Sequence, residues 1–222
     1  MISIAVDGPA GAGKSTVSKG VAARFGFIYV DTGALYRTLS YGLLRDRVDI
    51  ENDGKIAEFL KSAVVGIKYV NNEQRVFLNG EDVSDYIRTN EISMTTSKIS
   101  AKPIVREFLL ELQRKLAREN NVIMDGRDIG TVVLPDATLK VYLTAAAEDR
   151  AERRYKELIE RGENVKFEDI LNDVNKRDYN DMHRDISPLK KADDAVTVDT
   201  TGNNLEESIE LLSSVIKERI KV

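Results

Sequence analysis

The sequence predicts an α/β fold, with a mainly parallel sheet covered by helices on both faces. Three observations carry this. Short apolar runs of strand length alternate with stretches whose apolar residues recur at helical spacing, the pattern of βαβ units. Glycine and aspartate punctuation follows the apolar runs at 7–13 and at 125–128. Only one stretch, beginning at Gly66, alternates apolar with polar residues as an antiparallel hairpin does.

The elements follow in order. Residues 2–6 form a first strand, ended by glycines. From Lys14 to Phe25 the residues Val17, Val21, Ala22 and Phe25 recur at helical spacing. Residues 27–30 are a second strand. A helix over 33–47 carries Leu35, Leu39, Gly42 and Leu43 on one face, and a further helix covers 54–64. A small antiparallel insert is expected over 66–87, with Asn71-Asn72 between its first two strands and Asn79-Gly80 after the second. Residues 87–100 are polar and helical. Pro103 opens a long helix to about 119, as Pro suits a first turn. Val122-Ile123-Met124 is a buried strand ending in Asp125-Gly126-Arg127-Asp128, and 139–143 is another. Helices follow over 147–160 and 167–183, with Gly162 between them, and 195–198 is the last strand. Asn204 with Glu207 three residues on forms a capping box for a C-terminal helix.

Composition narrows the function. At 222 residues, roughly one and a half times a domain of about 150, the chain is expected to be one domain with an insert or a small second lobe. Lys and Arg number 33 against 37 Asp and Glu, a net charge of −4. Such a chain is a poor general binder of nucleic acid, and a site for an anionic substrate must gather basic residues locally. There is no Cys, which excludes disulfides, thiol nucleophiles and Cys-held metals. His183 is the sole histidine, so no multi-histidine metal site exists; it reads as a helix-surface residue. No apolar run approaches the roughly 18 residues of a membrane span. The N-terminus reads as a core strand and not as a signal peptide. A soluble cytoplasmic protein is expected, and nothing in the sequence demands more than a monomer.

Gly8-Pro9-Ala10-Gly11-Ala12-Gly13-Lys14-Ser15 fits the phosphate-loop pattern G-x-x-x-x-G-K-[ST], between an apolar strand and a helical run. Small residues let successive N–H groups point into one anion-binding nest, set on a helix N-terminus whose dipole favours negative charge. Lys14 can reach the β- and γ-phosphates, and the Ser15 hydroxyl can ligate Mg²⁺. Two strings suggest a GTPase switch: Asp199-Thr200-Thr201-Gly202 and Asn175-Lys176-Arg177-Asp178. They stand in the wrong order, and the second lies in a charged helical stretch. Both are read as coincidences, the first a strand-end cap.

The alternative is a small-molecule kinase. Asp31-Thr32-Gly33-Ala34-Leu35-Tyr36-Arg37 follows the second strand, where ligands bind in open α/β sheets. Arg37 lies one turn into the following helix, facing an acceptor. Asp125 ends the strand expected beside the phosphate loop and can hold Mg²⁺ through water. Arg177, Asp181 and Arg184 fall at i, i+4 and i+7 and share a helical face, although a solvated salt-bridge ladder would look the same. Arg150, Arg153 and Arg154 form another basic cluster. The two arginine-bearing helices can close as a lid, which phosphoryl transfer needs to exclude water.

Taken together, these residues make the chain similar to bacterial cytidylate kinases over essentially its whole length. The matching pieces are Asp7 to Thr16 (DGPAGAGKST), Asp31 to Arg37 (DTGALYR), Gly80 to Arg88 (GEDVSDYIR), Val105 to Glu107 (VRE), Asp125 to Val133 (DGRDIGTVV), and Arg177-Asp178 with Asp181 and Arg184. The 66–100 segment matches the insert in that family's monophosphate lobe. One departure is Ser15, where some members carry Gly; it supplies a hydroxyl for the metal.

The resemblance implies a P-loop three-layer sandwich: a five-stranded, mainly parallel sheet, an antiparallel insert in the monophosphate-binding lobe and a short helical lid. The core is expected at about 1–35, 103–150 and 187–222, the lobe at about 36–102 and the lid at about 151–186. Residues Gly8 to Thr16 would bind ATP phosphates. Arg37 and Arg127 resemble clamps on the acceptor phosphate, and Ser97 and Arg106 resemble cytosine readers, with Arg184 nearby. Thr32, Asp128, Arg177 and Asp181 look like contacts to base or ribose. Arg153 and Arg154 are similar to lid arginines, acting with Lys14 and Arg127 in catalysis. The implied reaction moves the γ-phosphoryl group of ATP to CMP or dCMP with Mg²⁺, with no nucleic-acid or membrane partner. A P-loop kinase for another acceptor (a different monophosphate or dephospho-coenzyme A) and, from another class, a nucleotide-dependent switch stay open.

Overall fold

Ile4, Ala5 and Val6 are all fully buried, although successive strand residues face opposite sides of a sheet. Val122, Ile123 and Met124 repeat the pattern. Both faces of the sheet are therefore covered, as a parallel sheet requires. The computed structural model describes residues 1–70 and 73–220. Its tertiary contacts divide the chain into two compact units, Met1–Tyr29 with the chain from Ala117 onward, and Val30–Leu116.

The strands are β1 (Ser3–Asp7), β2 (Ile28–Asp31), β6 (Val122–Gly126), β7 (Leu139–Thr144) and β8 (Val196–Asp199). They form one sheet in the order β2-β6-β1-β7-β8. β1 pairs in parallel with β6 and β7, and β7 with β8. The register sets Val6 opposite Asp125 and Asp7 opposite Gly126. The expected neighbourhood of Asp125 and the phosphate loop is thus met.

In the first unit, α1 (Lys14–Phe25) and α8 (Leu205–Ile220) bury Val17, Val21, Ile209, Leu212 and Ile216 with Ile4, Val6 and Val141 of the sheet. Burying such a side chain is worth about 1.5–3 kcal/mol. Helices α6 (Ala147–Glu160) and α7 (Phe167–His183) pack on one another through Ala151, Leu158 and Ile170. Tyr155 meets Phe167 edge-on, with ring centroids 6.2 Å apart. A π-helix over Ile129–Val133, unanticipated from the sequence, follows β6.

The second unit has its own core. Leu35, Leu39 and Leu43 of α2 (Thr32–Arg45) lie at zero exposure among Ile56, Leu78, Ile99 and Leu109. Their i, i+4, i+8 spacing makes the buried stripe. Helices α3 (Asp53–Ser62), α4 (Asn90–Ile99) and α5 (Pro103–Glu119) complete it. The insert is a three-stranded antiparallel sheet of β3 (Val65–Val70), β4 (Glu73–Leu78) and β5 (Glu81–Asp82). The turn at Asn71-Asn72 lies outside the described residues. Asn79 and Gly80 both have positive φ, 51° and 86°, the conformation an Asn-Gly hairpin turn demands.

The capping box of α8 forms as its sequence implies. The Glu207 N–H donates to Asn204 Oδ1 at 3.0 Å, and the Asn204 N–H donates to Glu207 Oε2 at 2.8 Å. Asn204→Ala should lower unfolding free energy by about 1 kcal/mol while leaving activity unchanged. Urea titration of both proteins checks this, and equal midpoints would refute it.

Candidate functional site

The phosphate loop leaves β1 at Asp7 and enters α1 at Lys14. Gly8, Gly11 and Gly13 take φ of 151°, 75° and 82°, values that L side chains rarely adopt. At Gly8 space also forbids a side chain, since a Cβ there would overlap the Leu143 carbonyl oxygen of β7. No side chain caps α1 at Gly13, which leaves the first-turn N–H groups without a capping acceptor there, as an anion site requires.

Lys14 is buried, and its Nζ donates to the Pro9 carbonyl at 2.7 Å. Burial and then the Arg127 cation pull its pKa well below the ordinary lysine value, against the attraction of Asp125 and Asp7. An arriving polyphosphate would reverse that balance and hold the ammonium charged. The Ser15 hydroxyl donates to Asp125 Oδ2 at 2.7 Å, and Tyr29 Oη to Asp125 Oδ1 at 3.3 Å. The two residues expected to serve a metal therefore lie in contact.

Two side chains hold this loop. Asp7 accepts from the Ile129 and Gly130 N–H groups at 2.7 Å each, tying the end of β1 to the start of the π-helix. Burial pushes its carboxyl up to about 6, against these two hydrogen bonds. Arg150 of α6 is 4% exposed. It donates to the Ala10 carbonyl of the loop at 2.8 Å, to the Ala145 carbonyl at 3.0 Å, and in bidentate fashion to Asp178 of α7. Arg153 Nη2 donates to the Thr200 carbonyl at 2.9 Å, and its other guanidinium nitrogen borders Gly13. Arg154 is half-exposed and pairs with Glu157.

After β6, Arg127 Nε donates to Asp181 Oδ2 at 2.8 Å, both side chains being mostly buried. The expected Arg177–Asp181–Arg184 helical row is corrected here. α7 ends at His183, and Arg184 already has extended backbone with φ −68° and ψ 143°. Arg184 instead donates through Nε to the Ser187 carbonyl at 2.7 Å and lies 3.9 Å from Asp128. The guanidinium that orients Asp181 comes from β6's end, 54 residues away in sequence. Arg177 is exposed on α7. His183 is exposed too and stacks on Tyr179 at 4.1 Å, a surface residue as expected. Asp199 of the D-x-x-G string accepts from the Thr201 N–H at 2.9 Å, a strand-end cap.

The second unit carries Thr32, Arg37, Ser97 and Arg106. Asp31 caps α2 through Oδ1, which accepts from the Ala34 N–H at 2.9 Å. Its Oδ2 accepts from Arg37 Nη2 at 2.7 Å. Arg37 Nε is buried with no hydrogen-bond partner among the described residues, which suits a guanidinium awaiting an anion. Thr32 is buried at the start of α2. Arg106 Nη1 donates to the Ser100 carbonyl at 3.0 Å, and its guanidinium lies 5.7 Å from the Tyr36 ring centroid. Ser97 is exposed on α4.

Residues 4–218 match the family model described as Cytidylate kinase. The chain belongs to the cytidylate kinase family. It is 47% identical to the cytidylate kinase of Caldicellulosiruptor bescii over 99% of both chains. It is 46% identical to that of Bacillus cereus over 97% of this chain and 96% of that one. A solved structure of an uncharacterized protein from Eubacterium ventriosum covers 99% of this chain and 100% of its own with a TM-score of 0.53 and 13% identity, a likeness of fold alone.

For this cytidylate kinase family member, sequence reasoning missed the anchoring roles of Asp7 and Arg150. The signal for Asp7 was present: a carboxylate directly after the buried apolar run Ile4-Ala5-Val6 needs buried partners. Arg150 carried none, because its bonds to the Ala10 carbonyl and to Asp178 depend on tertiary structure.

Asp7 gives the fold a pH dependence. Folded, it keeps its proton up to about pH 6, whereas the ordinary value is 3.8. The folded state binds the proton more tightly, so the group's stabilisation is full below pH 3.8 and lost as pH rises through about 6. Asp7→Asn removes this titration. From pH 4 to pH 7 the native chain should lose about 2 kcal/mol relative to Asp7→Asn. Urea unfolding at stepped pH measures this, and a gap independent of pH would contradict it.

Proposed function

We infer that the protein transfers the γ-phosphoryl group of ATP to CMP, giving ADP and CDP, and accepts dCMP as well. The observation that carries this is a phosphate loop with open N–H groups and a buried lysine, in a chain matching cytidylate kinases along its length. The acceptor needs no dedicated base. A phosphate monoester has a second pKa near ~6, so its oxygen is already an anionic nucleophile at pH 7. Catalysis then reduces to positioning and charge stabilisation.

We assign residues 8–16 to the ATP phosphates, with Lys14 facing the charge that builds in transfer. Arg37 and Arg127 grip the acceptor phosphate. Arg37 stands on Asp31 and Arg127 on Asp181, so each guanidinium is held before substrate arrives. Ser97 and Arg106 read cytosine. Thr32, Asp128, Arg177, Asp181 and Arg184 contact ribose or base. The α6–α7 pair, with Arg153 and Arg154, serves as the lid that excludes water.

The donors fit Mg²⁺. The Ser15 hydroxyl and Asp125 carboxylate are hard oxygens 2.7 Å apart, and Mg²⁺ takes one or two protein groups besides substrate phosphates and waters. Among the described residues no group of three or more His, Cys, Asp or Glu could hold a metal. Ser15 would hold the ion directly and Asp125 through water. When bound, it would neutralise charge on the transferring phosphates. We place the enzyme in the cytoplasm as a monomer. No described helix is long and apolar enough to cross a membrane.

ADP release with ATP and Mg²⁺ against a panel of nucleoside monophosphates tests the reading. CMP and dCMP should stimulate it well above UMP and AMP; release indifferent to acceptor would sink it. Lys14→Ala should cut turnover at least about 100-fold with the fold intact by circular dichroism, and near-normal ADP production would overturn the phosphate-loop assignment. Asp181→Ala should reduce kcat/KM for CMP more than for dCMP, by about 1–3 kcal/mol, because deoxyribose offers one donor fewer. Equal losses on the two substrates would leave Asp181 only its bond to Arg127.

A further inference from the structure

Asp31 holds Arg37, and Asp31 is itself held from an unexpected direction. It is the last residue of β2, an outer strand of the five-stranded sheet. An outer strand turns backbone N–H and C=O groups toward a side with no strand partner. Asp31 is 8% exposed, and buried backbone groups of this kind need partners. Gln74 of β4 supplies both. The Asp31 N–H donates to Gln74 Oε1 at 2.8 Å, and Gln74 Nε2 donates to the Asp31 carbonyl at 3.3 Å. A primary amide offers one acceptor and one donor side by side, so one side chain does the work of a missing strand residue. This amide orientation matches acceptor to donor at both ends; the flipped one would oppose like groups.

The chain of contacts runs on from there. Asp31 Oδ1 accepts from the Ala34 N–H and Oδ2 from Arg37 Nη2. Its backbone is gripped by Gln74 while both carboxylate oxygens are committed to α2. We propose that Gln74 is a positioning residue for the acceptor. Its amide fixes the Asp31 backbone, and through Asp31 it presets the Arg37 guanidinium for the monophosphate. The antiparallel insert thereby acts on substrate binding through one side chain. This rests on the assignment of Arg37 to the acceptor phosphate.

The test is a double-mutant cycle on the full chain, reading KM for CMP, KM for ATP and kcat. Gln74→Met removes both hydrogen bonds at similar length; Gln74→Ala stands in should Met fail to fold. Gln74→Met should raise KM for CMP about tenfold, from two hydrogen bonds of ordinary worth, with KM for ATP unchanged. In the Arg37→Ala background the same substitution should change KM for CMP by less than about twofold, because its route of action is gone. A full Gln74 effect in both backgrounds, or none in either with Arg37→Ala itself impaired, overturns the proposal and spares the Arg37 assignment. A rise in KM for ATP equal to that for CMP overturns it too, marking a general structural loss. An Arg37→Ala enzyme with unaltered KM for CMP overturns the Arg37 assignment and the proposal with it.

Discussion

A carboxylate at the C-terminal end of β1 underlies the arrangement of the unit that carries the phosphate loop. Asp7 is buried at the end of a strand whose preceding three residues are fully inaccessible. Burying that charge is unfavourable, as its raised pKa records. The return is geometric: two backbone N–H groups of the π-helix converge on it. The segment thus fixed begins just beyond Arg127 and Asp128. On the other flank, the phosphate loop is pressed against β7 at Gly8 and gripped by Arg150 at Ala10. An anion-binding nest works only if its N–H groups already converge before the anion arrives. Here the loop and its flanks are held from three sides.

The basic residues of this acidic chain are deployed in one recurring manner. Arg37 rests on Asp31, Arg127 on Asp181 and Arg150 on Asp178. Each aspartate holds a long, flexible side chain in one position; for Arg37 and Arg127, on their proposed roles, this lowers the entropy that binding the acceptor would cost. The carboxylates also temper positive charge that would repel neighbouring guanidinia. The chain as a whole carries a net charge of −4, so these paired cations are local features and not part of a general polyanion-binding surface.

Much of this was legible in the sequence because it is local. The phosphate loop, the strand–helix alternation, the Asn79-Gly80 turn and the Asn204–Glu207 capping box all depend on residues a few positions apart. Their backbone conformations follow from side-chain chemistry at fixed offsets. The nearness of Asp125 to the phosphate loop was inferred from strand order, which the pairing of β1 with β6 realises; the direct Ser15–Asp125 hydrogen bond was not. What the sequence hid is non-local. The orientation of Asp181 by Arg127, of Ala10 by Arg150 and of Asp31 by Gln74 joins residues dozens of positions apart. The helical row ending at Arg184 failed for a related reason. The i, i+4, i+7 spacing carried the row one residue past the helix end expected at 183, and Arg184, off the helix, donates to the Ser187 carbonyl. The π-helix had no sequence signal either; its first two residues are anchored by Asp7, a partner more than 120 positions away.

The division of labour within Asp31 has a practical consequence for protein engineers. Its two side-chain oxygens serve separate masters: Oδ1 terminates a helix and Oδ2 steadies a guanidinium. An isosteric amide at that position keeps one oxygen for the Ala34 N–H but turns an NH₂ group toward Arg37, where donor faces donor. Asp31→Asn therefore separates the helix cap from the hold on Arg37 at a single atom. On the proposed role of Arg37, it would retain the helix cap while releasing the cationic arm, so that acceptor affinity could be lowered without disturbing the scaffold.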